Sequence, residues 1–446
     1  MEDPPQSSTR RIFQAAALIS VSTFAVRLIG LVKTQVVAAS FGVGDAVEAY
    51  LLAAVLPTFA FGALGSTLPS ALVPAVVGVR ASGDEDQARN LLRDIYAWSV
   101  FILLVVTGVL ALAWPLFLNL AGAGFEEAKR SLATEAFYLL LPIVFLHGAA
   151  TVWGAVLKAE KRFLPTVFGP GAVPLTVTLV VFFFTERLGI RALVGGHVLG
   201  VLIEFLLLAY FLGRKGKRST RTPLFPRGLP RVNPQSRALG AQYLPAVGGG
   251  LLFASTQLVD QSMAARLEEG SLATLTYANA LITALLSIGT TALGTAILPF
   301  LSDMAARGQM KEMRASLRSS TGLVFLIATP AAILLALLAE PIVRILFERG
   351  AFEPSASLAV GAVFALYVLQ LPFYTTEVLC SRVLSAVKQN QLVFLGALLN
   401  LVLNVILNLV FMGWIGLKGI ALATSVSHLL VALWMWFLVA KRVGDA

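Results

Sequence analysis

Charged residues are scarce in this sequence. Asp, Glu, Lys and Arg together make up 13% of its 446 residues, and hydrophobic residues make up 57%, with a mean hydropathy of +0.83. Soluble chains carry about a quarter charged residues, so we expect lipid to be the solvent for most of this one. Lipid requires each backbone polar group to be satisfied internally, which leaves helices or closed barrels. The apolar runs reach about 20 residues without strict alternation, and they therefore predict helices.

Residues that carry redox, metal or nucleotide chemistry are equally few. Cys380 is the single cysteine, so no intramolecular disulfide can form. The three histidines, His147, His197 and His428, lie too far apart for metal-ligand spacing. The sequence contains no Walker-type loop ending in Lys-Ser/Thr. The segments between the predicted spans are also too short for a soluble catalytic domain. We therefore predict a protein that is not an enzyme and that has no cofactor.

The net charge of +10 does not indicate a nucleic-acid partner. The Lys and Arg residues lie mainly in short loops between apolar runs, and most fall on the side of the membrane that holds the N-terminus. By the positive-inside rule both termini are expected in the cytoplasm. No cleavable signal peptide is expected, because the first apolar run is long enough to remain as a span. The predicted location is the bacterial cytoplasmic (inner) membrane, with the lipid bilayer as a partner.

The apolar runs predict an all-α polytopic membrane protein with about twelve transmembrane helices. The predicted spans are 13–40, 46–78, 95–120, 131–157, 163–185, 188–213, 238–265, 271–303, 319–339, 355–386, 390–412 and 415–440. A basic, Pro-containing segment at 214–237 separates six spans from six, and we predict that it is a cytoplasmic linker beside an anionic leaflet. The predicted domains are thus an N-terminal lobe (1–213), this linker, and a C-terminal lobe (238–446).

The two predicted lobes resemble each other. Residues 74–93 align without gaps with residues 299–318, and later matches continue the alignment, namely Pro115 with Pro341, Pro142 with Pro372, and His197 with His428. A unit of six spans re-enters the membrane with the same orientation, so the repeats must be parallel. Two such lobes around a central cavity are typical of a transporter that works by alternating access.

Charges inside membrane spans are costly and are therefore functional candidates. The first span carries Arg27 and Lys33, and a bend at Gly30 would bring both toward a cavity. Two cations in such a cavity suit a pyrophosphate, which needs charge neutralisation away from water. Alternatively, Lys33 snorkels and Arg27 pairs with a carboxylate such as Glu48.

A second polar group lies in the C-terminal half. Asp260 is inside the seventh span, and Asn400, Asn404 and Asn408 recur every fourth residue on one face of the eleventh, with Thr424 in the twelfth. Together they suggest an oxygen-rich cation site. Hydrogen bonding between helices is the alternative use of such residues.

Three further residues are candidates for a hinge or a gate, in addition to Gly30. Pro57 interrupts the second span, where a break is tolerated if the helix lines a cavity. Glu377 and Arg382, in the tenth span, are predicted to form structural or gating pairs.

Several segments resemble the MviN/MurJ group of the multidrug/oligosaccharidyl-lipid/polysaccharide exporter superfamily. They are VRLIGLVKTQVVAASFG (26–42), EGSLATLTYANAL (269–281), AILPFLSDMAARG (296–308), EPIVRILFERGAFEPSAS (340–357), ALYVLQLPFYTTEVLCSRVLSAVKQN (365–390) and GIALATSVS (419–427). They run in order through nearly the whole chain. The resemblance implies a cationic central cavity and export of lipid II, the undecaprenyl-pyrophosphate-linked peptidoglycan precursor. It also implies coupling to an ion gradient or to the membrane potential.

The resemblance also assigns roles to residues. It implies substrate binding by Arg27, Lys33 and Glu48, with Lys33 standing where the family has a second Arg. It further implies a cation site at Asp260, Asn404, Asn408 and Thr424, for which the coupling ion, Na+ or H+, is left open.

The sequence also departs from the family in the second and eighth helices. The paired Arg of the second helix falls on Phe61 and Gly62, and the Arg of the eighth helix falls in Tyr277-Ala278-Asn279-Ala280. We predict a lipid II flippase and keep two alternatives, a flippase for another polyprenyl-linked saccharide (an exopolysaccharide or O-antigen unit) and a cation-coupled exporter of small amphiphiles. Cell-wall or polysaccharide synthesis machinery is the expected protein partner.

Overall fold

The computed structural model describes residues 5–65, 72–73, 76–78, 85–160, 162–214 and 234–444. Every helix and turn described below lies within these ranges, and they contain no β-strand. The predicted linker falls largely outside them, so that prediction is not tested. The all-α architecture follows from the long apolar runs, which can satisfy their backbone polar groups only along a helix.

The helices of the N-terminal half are long, and several are broken near proline. They are α1 (Pro5–Phe41), α2 (Asp45–Gly65), α3 (Glu85–Ala121), α4 (Glu127–Leu140), α5 (Pro142–Ala159), α6 (Phe163–Phe168), α7 (Ala172–Leu188) and α8 (Ile190–Gly213). A single 3₁₀ turn, Gly169–Gly171, joins α6 to α7.

The C-terminal half differs from this arrangement in where its helices are interrupted, and its 3₁₀ turn is Val368–Gln370. Its helices are α9 (Pro234–Ala264), α10 (Ser271–Ala306), α11 (Met310–Leu337), α12 (Ala339–Phe347), α13 (Pro354–Tyr367), α14 (Leu371–Ala386), α15 (Asn390–Ile415) and α16 (Leu417–Gly444).

Proline divides the fourth and tenth predicted spans at equivalent points. Pro142 is the first residue of α5, and Pro372 is the second residue of α14. Proline is tolerated in a first helical turn, where its missing N–H would have no partner in any case. The predictions of single spans at 131–157 and 355–386 were therefore right about crossing the membrane and missed the break within each.

Equivalent glycines form equivalent turns in the two halves. Gly189 (φ 54°) separates α7 from α8, and Gly416 (φ 59°) separates α15 from α16. A positive φ is accessible to glycine without the steric cost that a Cβ imposes. The parallel repeat inferred from the sequence thus extends to the turns.

Ten helical segments of the described residues are long and apolar enough to cross a membrane. The two remaining predicted spans, 238–265 and 271–303, coincide with α9 and α10, whose side chains are described only in part. Large apolar side chains are widely exposed, Leu112 (84%) and Trp414 (77%) among them. Apolar exposure on this scale fits a lipid-facing surface. The predicted fold class, an all-α multi-pass membrane protein in two lobes, is confirmed.

The chain divides into two compact units. The first contains Met1–Ser40, Ala53–Leu120 and Glu126–Leu251, and the second contains Phe41–Leu52, Ala121–Phe125 and Leu252–Ala446. Each has its own apolar core. That of the first includes Leu92, Trp153, Phe205 and Leu212, and that of the second includes Met313, Leu384, Met435 and Val439. Two short segments of the N-terminal half therefore belong to the second unit.

Candidate substrate and cation sites

Helix α1 carries the two predicted cations of the first unit. The Arg27 side chain is exposed, and within the described part of the chain no carboxylate forms an ion pair with it. Lys33 is half-buried. A cation without a protein counter-ion in a membrane helix is available to an anionic ligand. The assignment of Arg27 and Lys33 to substrate binding remains a prediction.

The predicted hinge residues lie inside continuous helices. Helix α1 passes through Gly30, whose carbonyl accepts a 3.0 Å hydrogen bond from the Thr34 hydroxyl. Pro57 lies inside α2, and the neighbouring Thr58 hydroxyl approaches the carbonyls of Ala54 (2.7 Å) and Val55 (3.0 Å). Such hydroxyl contacts stabilise the backbone where a proline removes a donor. Hinge motion at Gly30 and Pro57 remains a prediction.

Glu48 binds the start of a helix that lies far away in the sequence. Its buried carboxylate accepts hydrogen bonds from the backbone N–H groups of Leu272 (2.7 Å) and Ala273 (3.2 Å), in the first turn of α10. The first N–H groups of a helix have no partner within it, and the helix dipole favours a negative charge there. A second hydrogen bond connects the same two parts of the chain, because the Tyr277 hydroxyl of α10 donates to the carbonyl of Gly42 at 2.8 Å. These contacts give Glu48 a structural role in the second unit, and substrate contact remains a prediction.

The predicted cation-site residues come together around a buried carboxylate. Asp260 on α9 accepts hydrogen bonds from Asn408 Nδ2 (2.7 Å) on α15 and from Thr424 Oγ1 (3.2 Å) on α16. Asn404 accepts from Asn408 Nδ2 at 3.1 Å, and its own amide donates to Thr424 Oγ1 at 3.3 Å. All four side chains are buried. The interaction joins three helices, and α9 is more than a hundred residues from the other two in the sequence.

One oxygen of this cluster has no donor. Asn408 Oδ1 is buried, and no hydrogen-bond donor reaches it among the described residues. A buried acceptor without a partner is costly, and a cation would satisfy it. Carboxylate, amide and hydroxyl oxygens are the ligands that hard cations prefer. The described residues contain no group of His, Cys, Asp and Glu suited to a transition metal.

Glu377 pairs with a histidine. Its carboxylate lies 2.8 Å from His428 Nδ1 on α16, and Asn400 Nδ2 approaches the same ring nitrogen at 3.3 Å. Tyr374 packs edge-on against the His428 ring. Arg382, on the same helix as Glu377, is half-buried, and its Nε atom has no hydrogen-bond partner within the described ranges. Gating by Glu377 and Arg382 remains a prediction.

The first unit contains an acidic–histidine pair that our sequence analysis did not identify. His147 Nδ1 on α5 lies 2.8 Å from Glu204 Oε2 on α8. The repeat could have indicated it, because His147 follows Pro142 by the same number of residues as Glu377 follows Pro372. A charged pair at that position in one repeat is a reason to look for one in the other.

The fold and the buried charges together define a two-lobe membrane transporter. The structure is similar over 96% of this chain to an inward-facing multidrug resistance MATE family transporter of the MOP superfamily, with a TM-score of 0.82, 15% identity and 98% of that chain covered. It is also similar to a solved lipid II flippase MurJ in an inward closed conformation. There the TM-score is 0.79 at 22% identity, covering 95% of this chain and 87% of the other.

The sequence identifies the family more narrowly. The family described as "Lipid II flippase MurJ" matches residues 37–445. A probable lipid II flippase MurJ of Synechocystis sp. is 27% identical, over 99% of this chain and 84% of its own length. The corresponding protein of Bdellovibrio bacteriovorus is 29% identical, over 97% and 83%. The chain belongs to the MurJ lipid II flippase family, a family of transporters, and the predicted resemblance is confirmed.

Proposed function

We propose that this protein moves lipid II from the cytoplasmic to the outer leaflet of the bacterial inner membrane by alternating access. The observation that carries the proposal is the family match over residues 37–445, which spans both lobes. The same proposal places both termini in the cytoplasm, following the distribution of Lys and Arg. It also makes the enzymes of peptidoglycan synthesis the expected partners, because they make and consume this lipid.

The cations of α1 support a pyrophosphate-linked substrate. Arg27 is exposed without a counter-ion among the described residues, and Lys33 is half-buried in an apolar helix. A pyrophosphate accepts charge-assisted hydrogen bonds from guanidinium and ammonium groups, and these are stronger than neutral ones. Two positive groups on one helix would thus offset the cost of moving the headgroup away from water.

The Asp260 cluster supports coupling to a cation. Its residues present a carboxylate, two amides and a hydroxyl within hydrogen-bond distance of one another, and no donor from the described part of the chain reaches the buried Asn408 Oδ1. Sodium bound among these oxygens, or a proton on Asp260, would neutralise the carboxylate and satisfy the cluster. Either ion would bias the second unit between two arrangements and so link its gradient to transport.

Complementation of a depleted strain tests the substrate. The wild-type chain replaces the host's own lipid II flippase, and surface-exposed lipid II and survival are measured with Arg27→Ala and Asp260→Ala beside it. Arg27→Lys keeps the charge, and Arg191→Ala removes an exposed arginine paired with Glu135 in the same unit. We expect rescue by wild type, Arg27→Lys and Arg191→Ala, and loss of rescue with the other two at equal expression.

Two outcomes would contradict the proposal. Failure of a folded, well-expressed wild type to restore surface lipid II would redirect the assignment to another polyprenyl-linked saccharide. The replacement of the second-helix arginines by Phe61 and Gly62 would then be the structural reason. Full rescue by Arg27→Ala would show that transport does not need the positive charge of Arg27, which would contradict its role in substrate binding.

A further inference from the structure

A second polar group lies beside the Asp260 cluster, one helical turn away on two helices. On α15, Asn400 precedes Asn404 by four residues. On α16, His428 follows Thr424 by four residues. Four residues of α-helix advance about 6 Å along the axis and return to nearly the same face. The contact of Asn404 with Thr424 (3.3 Å) is therefore followed, one turn further on, by the contact of Asn400 with His428 (3.3 Å).

Glu377 of α14 completes this second group. Its Oε2 atom lies 2.8 Å from His428 Nδ1 with hydrogen-bond geometry, and no Lys or Arg of the described ranges forms an ion pair with it. The Glu377 side chain is 16% exposed, whereas Asn404 and Asn408 are 0% exposed. The carboxylate thus stands at the more open end of a buried polar stripe, where its negative charge is available to a cation.

Two oxygens of this group are not used by the protein. A ring nitrogen has a single hydrogen-bonding position, and both Glu377 Oε2 and Asn400 Nδ2 approach His428 Nδ1. When that nitrogen donates to Glu377, it offers nothing to the Asn400 amide. Neither Asn400 Oδ1 nor Glu377 Oε1 accepts a hydrogen bond from another described residue. Both oxygens can therefore turn to a ligand.

A hard monovalent cation is the ligand that fits these atoms. Carboxylate and amide oxygens are the partners that hard cations prefer, and the group offers the same two ligand types as Asp260 and Asn408. A net charge inside a membrane is costly, so a single carboxylate matches a single positive charge. Water can complete the coordination shell, because this end of the stripe is partly exposed.

The second group lies on the cytoplasmic side of the first in the proposed topology. Helix α15 begins directly after Lys388, in a loop that the distribution of Lys and Arg places in the cytoplasm. Asn400 is nearer to that end of the helix than Asn408. A cation that leaves Asp260 for the cytoplasm therefore reaches Asn400 and Glu377 next.

We propose that Glu377 and Asn400 form a second binding position for Na+, through which the ion passes between Asp260 and the cytoplasm. His428 closes this position by pairing with Glu377, and the ring turns away from the carboxylate when the ion arrives. This step rests on the proposed function, because it requires the cation site at Asp260.

Binding and release of radioactive Na+ by the full-length protein in nanodiscs test the proposal. Equilibrium binding gives the affinity, and dilution into unlabelled Na+ gives the release rate. We expect Glu377→Gln and Asn400→Leu to release the ion several-fold more slowly at nearly unchanged affinity, because the passage loses an oxygen ligand while Asp260 remains. His428→Leu should release it several-fold faster, because it removes the partner that closes the position. A packing defect would not change the release rate in opposite directions.

Glu340→Gln is the matched control. Glu340 also pairs with a cationic side chain of the same unit, Arg344 at 3.0 Å, but this pair is exposed. The variant should leave affinity and release rate unchanged. Wild-type release rates in Glu377→Gln and Asn400→Leu, at an unchanged melting temperature, would overturn the proposal. If Glu377→Gln does not fold, the opposite effects expected of Asn400→Leu and His428→Leu decide the question.

Asp260→Asn separates this proposal from the cation site on which it rests. We expect this variant to lose Na+ binding. Loss of binding there, together with a wild-type release rate in Glu377→Gln, would sustain the Asp260 site and contradict the second position. A wild-type protein that binds no Na+ would contradict both the second position and sodium as the coupling ion, whereas lipid II transport is decided separately by complementation.

Discussion

The two units place different residues at one repeat-equivalent position. The first unit has His147 there and pairs it with a glutamate of α8, whereas the second has Glu377 and pairs it with a histidine of α16. Both pairs have the same 2.8 Å separation and join equivalent helices. The pair in the second unit has hydrogen-bond geometry, and Asn400 Nδ2 lies 3.3 Å from the same ring nitrogen. In the first unit, His147 Nδ1 and Glu204 Oε2 have no aligned hydrogen-bond partner among the described residues.

The same contrast extends to the other polar groups. In the second unit, Asp260 receives donors from Asn408 and Thr424. In the first unit, Arg27 has no ion-pair partner among the residues that the structure describes. A polar group that the protein satisfies itself contributes to folding, whereas one left unsatisfied is available to a ligand. The comparison therefore supports the proposed substrate site at Arg27 in the first unit and the proposed cation site in the second, where Asn408 Oδ1 is the acceptor without a donor among the described residues.

The largest effect is expected from Asp260→Ala. The substitution removes the carboxylate that accepts hydrogen bonds from two buried donors, Asn408 Nδ2 and Thr424 Oγ1. Each donor left without a partner should lower the free energy of unfolding by about 1–3 kcal/mol. Lipid II transport should be abolished and the melting temperature should fall. Asp260→Asn keeps the shape and removes the charge, so it should lose transport with a smaller fall in melting temperature. Transport by Asp260→Asn at the wild-type rate would show that the second unit needs no anion.

Glu48→Ala should destabilise the second unit without changing the first. The backbone N–H groups of Leu272 and Ala273 lose a buried anionic acceptor, with an expected cost of about 1–3 kcal/mol. Denaturant unfolding measures the loss, and hydrogen exchange should localise it to the start of α10. Glu48→Gln retains an acceptor oxygen and should lose less. Equal stability of Glu48→Ala and wild type would contradict the capping role.

Thr424→Val should have a moderate effect that separates hydrogen bonding from packing. Valine has nearly the same shape but offers no hydroxyl to Asp260 Oδ2, a loss of about 1 kcal/mol. If sodium is the coupling ion, the sodium concentration for half-maximal transport should also rise. Unchanged stability and unchanged ion dependence in this variant would show that the Thr424 hydroxyl contributes neither to folding nor to ion binding.

Glu135→Gln should have the smallest effect. Its ion pair with Arg191 lies on an exposed surface, where such pairs contribute little to stability. We expect an unchanged melting temperature and unchanged transport. A measurable loss in either would contradict the small contribution that we expect from an exposed ion pair.

Much of the architecture could be predicted from the sequence. The apolar runs located the helices, and the matched prolines at 142 and 372 and the histidines at 197 and 428 indicated the repeat. The i, i+4 spacing of Asn404 and Asn408 placed both on one helix face, which made them candidates for a shared site. The break of the fourth and tenth spans was missed, since a proline within an apolar run does not by itself end a membrane helix.

The sequence by itself determined the membrane class, the helical elements, the repeat and the residue types suited to each site, because these depend on composition and on periodicities within single helices. Only the tertiary structure decided which side chains meet. Glu48 caps a helix 224 residues further along the chain, and the contact of His147 with Glu204 follows from the packing of α5 on α8. Contacts between helices depend on how their faces pack together, and no local pattern along the chain records that geometry.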